Sequence, residues 1–109
     1  MVDPAAVART PAFVLEYDAF LDNLAVIRSI QERSPCSFLF ALKGFAMHRV
    51  FPEIAAAARG ATASSLYELL LADEFFTEVH AYAPVYIPGD FPKIAECSTH
   101  VTFNSITEY

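Results

Sequence analysis

The stretch Ser37-Phe38-Leu39-Phe40-Ala41-Leu42-Lys43 decides how this chain reads. Four large apolar residues and one alanine fill positions 38–42, the composition of a short strand buried on both faces of a parallel sheet. An unpaired ammonium at the end of such a strand is costly to bury, so Lys43 calls for a partner or a task. Parallel α/β folds assemble their sites at the carboxyl ends of strands, and desolvation there favours the neutral, nucleophilic amine that condenses with a carbonyl. Lys43 is therefore the leading candidate for a catalytic residue.

Upstream, Pro11–Tyr17 reads as a strand, and Asp18 offers an N-cap for an amphipathic helix through about Ser34. Leu21, Leu24 and Ile27, flanked by Phe20 and Ile30, form its inward stripe, while Asp22, Arg28, Glu32 and Arg33 fall on the wet side. Downstream, a loop over Gly44–Met47 leads to a helix with Pro52 in its first turn, running through Arg59 and stopped by Gly60 as a C′ residue. Ala61–Ser64 forms a short strand, and Ser65-Leu66-Tyr67-Glu68 fits the S-x-x-E capping box of a helix to about Phe76. Val79–Ala83 is the next strand. A turn at Ile87–Asp90, a short helix over Phe91–Cys97 and a last strand, His100–Asn104, follow.

Strands and helices alternate at a spacing of roughly 20 residues, the signature of a mainly parallel sheet in the α/β class. A complete (β/α)8 TIM-type barrel takes eight units and typically ~250 residues. The 109 residues supply about four βα units plus a fifth strand, and that strand has no covering helix. The expectation is a partial barrel, with residues 1–109 forming the incomplete amino-terminal portion of one barrel domain.

With 55% hydrophobic and 18% charged residues, the chain is a folded globular one. Its net charge of −6 and lack of any Lys or Arg run argue against nucleic acid or an anionic membrane as partner. A cationic small substrate suits that balance. Cys36 and Cys97 form no CxxC pair and no zinc spacing, so the expectation is two free thiols, no metal and a reducing cytoplasm. The amino terminus has no basic segment followed by an apolar one, and no apolar run nears the ~20 residues of a membrane span.

Four segments then carry a resemblance. Ala41-Leu42-Lys43-Gly44-Phe45-Ala46, Thr62-Ala63-Ser64-Ser65-Leu66-Tyr67-Glu68, Val79-His80-Ala81-Tyr82-Ala83-Pro84 and Phe103-Asn104-Ser105 resemble, in order and spacing, the carboxynorspermidine/carboxyspermidine decarboxylases. These belong to the alanine-racemase-like, fold-type III class of pyridoxal-phosphate enzymes. The likeness covers the chain from Thr10 to Ser105. It implies a barrel followed by a carboxyl-terminal β domain, a homodimer whose sites form between subunits, and pyridoxal 5'-phosphate held by Lys43 as a Schiff base. It implies decarboxylation of a polyamine carboxylate in norspermidine and spermidine biosynthesis. The alternative is a non-catalytic pyridoxal-phosphate-binding or regulatory barrel protein.

The Asp of the related ornithine decarboxylases is replaced by Thr62. The family's stacking histidine, glycine-rich phosphate loop, acidic partner for the ring nitrogen and partner-subunit cysteine cannot be located among these residues, so the chain is expected to be inactive alone.

Around Lys43, Ala41 and Ser64 are the further cofactor-binding candidates, with Ala41 and Thr62 lining the barrel. Ser65 is first of all a helix cap. Asn104 and Ser105 end the last strand and are candidate pocket residues. His80 and His100 sit at strand starts, where structural roles prevail, and the three histidines are read as mutually distant. His48, shortly after the lysine, is on the side where it could face the cleft.

Overall fold

The computed structural model describes residues 3–109, the side chain of Pro4 excepted. Four helices alternate with four strands: α1 Tyr17–Arg33, β1 Leu39–Ala41, α2 Phe51–Ala57, β2 Gly60–Ala63, α3 Leu66–Asp73, β3 Val79–Tyr82, α4 Phe91–Cys97 and β4 His100–Thr102. Every ladder is parallel and the strand order is β1-β2-β3-β4, each strand beside the next in sequence. That is the neighbour order of a barrel wall; a doubly wound sheet reverses direction part-way.

The expected first strand does not form. Residues 11–16 join no ladder among the described residues, and Phe13 is 97% exposed. Only Leu15 of this segment packs on the core. A segment without a hydrogen-bonded neighbour is not a strand, so the sheet has four strands where five were expected. The helix that follows is capped by Glu16, which puts Asp18 in the first turn, where a carboxylate complements the helix dipole.

Gln31 near the end of α1 fixes the next crossover. Its side-chain amide donates to Ala57 O at 2.6 Å and accepts from Phe38 N–H at 2.8 Å, satisfying the end of α2 and the approach to β1 together. Helix α2 stops three residues before Gly60, with Ala58 extended. Gly60 is thus not a C′ residue, and no glycine here has a positive φ. It opens β2 at a point of close approach: a Cβ there would lie 2.2 Å from Glu78 O and 2.8 Å from Glu78 Cβ. Steric room, not left-handed backbone, selects the glycine.

Period-two alternation sorts the strands into two faces. Phe40, Ala61, Ala63, Val79, Ala81 and Val101 belong to the core cluster together with residues of the helices. Phe51 is fully buried at its centre, with ring centroids 5.6 Å from Phe40, 5.5 Å from Phe75 and 5.8 Å from Phe76. The opposite face carries Ala41, Thr62, His80 and His100 in one cross-strand row, with Tyr82 and Thr102 beyond it. These residues are half-buried or exposed. The β1 segment is likewise only half-buried, so it is not the strand covered on both faces that its composition suggests.

Candidate active site at the carboxyl ends of the strands

Parallel pairing brings the residues after β1, β2, β3 and β4 to one rim, as the sequence predicts. Lys43 lies in a single 3-10 turn, Leu42–Gly44, immediately after β1. The turn is anchored from below by Leu42, 1% exposed, and closed by Phe45 N–H donating to Leu42 O at 3.1 Å. Lys43 itself is exposed, contrary to the burial expected from the apolar run before it. Its Nζ stands 5.9 Å from the centroid of the Tyr82 ring, across the end of the sheet. At that range the ring quadrupole attracts an ammonium and holds the side chain over the open face. Beside it, a Cβ added at Gly44 would meet nothing within 4 Å, so the lysine borders open space.

Ala41 lies on the same open face, two residues before the lysine and paired with Thr62. Both are small, so the face beside Lys43 stays shallow. Ser64 follows β2 at the rim. Its N–H and its hydroxyl both donate to Glu68 Oε2, at 2.7 and 2.8 Å. Ser65 Oγ accepts from Glu68 N–H at 3.2 Å, the capping bond that the Ser65–Glu68 spacing predicts. The returning half of the box goes to Ser64 rather than to the cap residue itself. Thus Ser64 reaches the rim with its donors already engaged.

The ends of β3 and β4 are tied together. Asn104 Nδ2 donates to Ala83 O at 3.0 Å and to Pro84 O at 2.7 Å. The Tyr86 hydroxyl donates to Thr102 O at 2.8 Å and accepts from Ala83 N–H at 3.3 Å. Burial pushes the Tyr86 phenol up from its ordinary range. Glu108 accepts from the backbone N–H of Tyr86 and Asn104, and Ser105 Oγ lies 3.1 Å from Thr107 Oγ1. His48 opens the turn before α2 and is exposed.

The reading of His80 and His100 as distant is wrong. Register pairs them across β3 and β4, and their ring centroids are 4.2 Å apart. Neither Tyr82, quoted above only as part of a strand segment, nor Tyr86 is among the site candidates read from the sequence. For Tyr82 a signal was present, since His80 and Tyr82 fall at i and i+2 along one strand and so share a face.

No protein-family model matches the chain. It is similar to the carboxyaminopropylagmatine decarboxylase of Synechocystis sp., 45% identical over 101 residues that cover 92% of this chain and 26% of that protein. It is also similar to the carboxynorspermidine/carboxyspermidine decarboxylase of Campylobacter jejuni, 34% identical over 93% of this chain and 27% of the relative. A protein of the same name from Herminiimonas arsenicoxydans is 36% identical over 92% of this chain and 28% of the relative. Among solved structures, carboxynorspermidine decarboxylase from Campylobacter jejuni complexed with norspermidine superposes with a TM-score of 0.85 at 35% identity, covering 91% of this chain and 27% of that one. Over nine-tenths of its length the chain is therefore similar to carboxyaminopropylagmatine and carboxynorspermidine/carboxyspermidine decarboxylases, of which it spans about a quarter.

Proposed function

We propose that this chain carries the cofactor lysine of a pyridoxal-phosphate-dependent decarboxylase acting on a carboxylated polyamine, carboxynorspermidine or carboxyspermidine, in polyamine biosynthesis. The observation that carries the reading is Lys43: an accessible primary amine at the carboxyl rim of a parallel sheet, in a chain homologous to such decarboxylases. A net charge of −6 suits a polycationic substrate. The neighbour order of the strands supports a (β/α)8 barrel. A carboxyl-terminal β domain and a homodimer rest on the family resemblance alone, and a cytoplasmic setting on the two unpaired cysteines. No helix among the described residues is long and apolar enough to cross a membrane.

The donor set fits the cofactor at its aldehyde end. Lys43 Nζ would hold the aldehyde carbon, and Ala41 and Thr62 leave space for a flat ring on the open face. When bound, pyridoxal 5'-phosphate supplies the electron sink that lets an α-carboxylate leave as carbon dioxide. What this chain contributes is position. Leu42 and the Phe45 hydrogen bond fix the backbone of the lysine, and the Tyr82 ring keeps its amine over the sheet. Ser64 is the rim residue assigned to cofactor contact, which requires its N–H or hydroxyl to exchange Glu68 for the new acceptor. Because those donors are engaged and Lys43 is exposed, the 109 residues alone are proposed to turn over too slowly to be useful.

The chain has only two lysines, which makes the test decisive. Lys93 Nζ is bonded to Glu96 at 3.0 Å, which raises its pKa and engages its amine. Incubation with pyridoxal 5'-phosphate, borohydride reduction and peptide mapping should place the label on Lys43, and Lys43→Ala should lose it. Equal labelling of Lys43 and Lys93 would overturn the assignment. Carbon dioxide release from carboxynorspermidine by the same preparation should not exceed that of Lys43→Ala; a lysine-dependent rate would refute the proposed inactivity.

A further inference from the structure

At the other end of the sheet, Glu78, His80 and His100 gather at the amino ends of β3 and β4, with ligating atoms all within 4.8 Å of one another. Glu78 lies immediately before β3, two residues from His80, and His100 is the register partner of His80 on β4. We propose that these three side chains form a binding site for a borderline divalent cation of the zinc class, distinct from the Lys43 rim, that staples β3 to β4.

Three features of the cluster suit it to a metal rather than to a salt bridge alone. First, the donor set is two imidazoles and one carboxylate, which leaves room for a solvent ligand and matches the preference of zinc-class ions for nitrogen with oxygen. His80 Nε2 and Glu78 Oε1 are 3.1 Å apart. Two donors each ~2.1 Å from a common ion at ordinary coordination angles stand roughly 3.0–3.4 Å apart, so this pair needs almost no movement.

Second, the carboxylate is held from outside. Arg59 Nε donates to Glu78 Oε2 at 2.6 Å, leaving Oε1 turned toward His80.

Third, one tautomer of His100 fits its neighbour. The Thr99 hydroxyl spends its proton on Val79 O at 2.9 Å and accepts from Val79 N–H at 3.1 Å. With that proton on Val79 O, His100 Nδ1, 3.2 Å from the same oxygen, fits the network as a donor. A neutral His100 with its proton on Nδ1 presents a free lone pair on Nε2. An outer hydrogen bond of this kind orients the histidines of metal sites. When His80 binds the ion through Nε2 as a neutral imidazole, the proton that Nε2 shares with Glu78 is exchanged through solvent to Nδ1, so the ring keeps one N–H and no redox change occurs.

The test uses the 109-residue chain titrated with Co²⁺, with Zn²⁺ as competitor. Expected are a ligand-field absorption that saturates at one equivalent, its loss on Zn²⁺ addition and a rise in Tm with either ion. His80→Gln and His100→Gln should each weaken the affinity roughly tenfold or more, and His48→Gln, outside the cluster, should leave it unchanged. Far-UV circular dichroism checks folding; if His80→Gln fails to fold, His100→Gln decides, because His100 is exposed and contributes little to the core. Unchanged affinity in His100→Gln, no saturable absorption, or a thiolate charge-transfer band that places Cys36 or Cys97 on the ion would each overturn the site.

Discussion

The two faces of the sheet are built on opposite rules. One is apolar and closed: Phe40, Ala61, Ala63, Val79 and Ala81 meet the helices around Phe51. The other holds small, polar and aromatic side chains, Ala41, Thr62, His80, Tyr82 and His100, and stays half-buried or exposed. Both faces arise from the same strands by alternation, so each strand does two jobs with every second residue. The closed face supplies stability, and the open face is free to carry chemistry.

The sharpest way to break this contrast is on the closed face. Phe51→Ala empties the centre of the phenylalanine cluster and should cost about 3–5 kcal/mol, measured as a fall in the urea midpoint. A loss below 1 kcal/mol would show that the cluster is not the keystone. Next in size is the close approach of Gly60 to Glu78. Gly60→Ala drives a methyl into the Glu78 backbone, with cost about 1–3 kcal/mol and weakened amide-exchange protection at Ala61, whose N–H donates to Glu78 O. Unaltered protection there would mean that the two strands separate more easily than their geometry implies.

The smallest effect concerns pH. Because Arg59, then His80, depress the Glu78 pKa below the ordinary glutamate value, Glu78 contributes stability that is present above that ordinary value and is lost as pH falls through the lower folded pKa. Metal-free Glu78→Gln should therefore lose little on acidification in that window compared with the parent chain, in paired melts above and below it. Parallel acid limbs for the two proteins would remove Glu78 from the acid response.

Much of the closed face was legible because its signals are local. The Ser65–Glu68 spacing predicts the α3 cap, the Phe91–Cys97 segment predicts α4, and the alternation of elements predicts parallel strands. Placement of Lys43 at the rim follows from that pattern alone. The open face was harder to read, since its contacts come from register between residues far apart in sequence. His80 and His100 look unrelated along the chain, yet one ladder brings their ring centroids within 4.2 Å. Gly60 after a helix resembles a stop signal; its real cause is Glu78, just before another strand. Residues 11–16 have the composition of a strand but no neighbour to make them one. Lys43 is exposed because an apolar run guarantees burial only where a second layer covers it.

The unbroken neighbour order of the strands also bears on how the chain assembles. Each ladder joins segments only roughly twenty residues apart, as in Leu39 with Gly60, Ala61 with Val79 and His80 with His100. Loop closure is then a repeated short step, and every new strand docks on one already in place. The sheet can accordingly grow in the order of synthesis, one βα unit after another, without waiting for a distant partner to emerge from the ribosome.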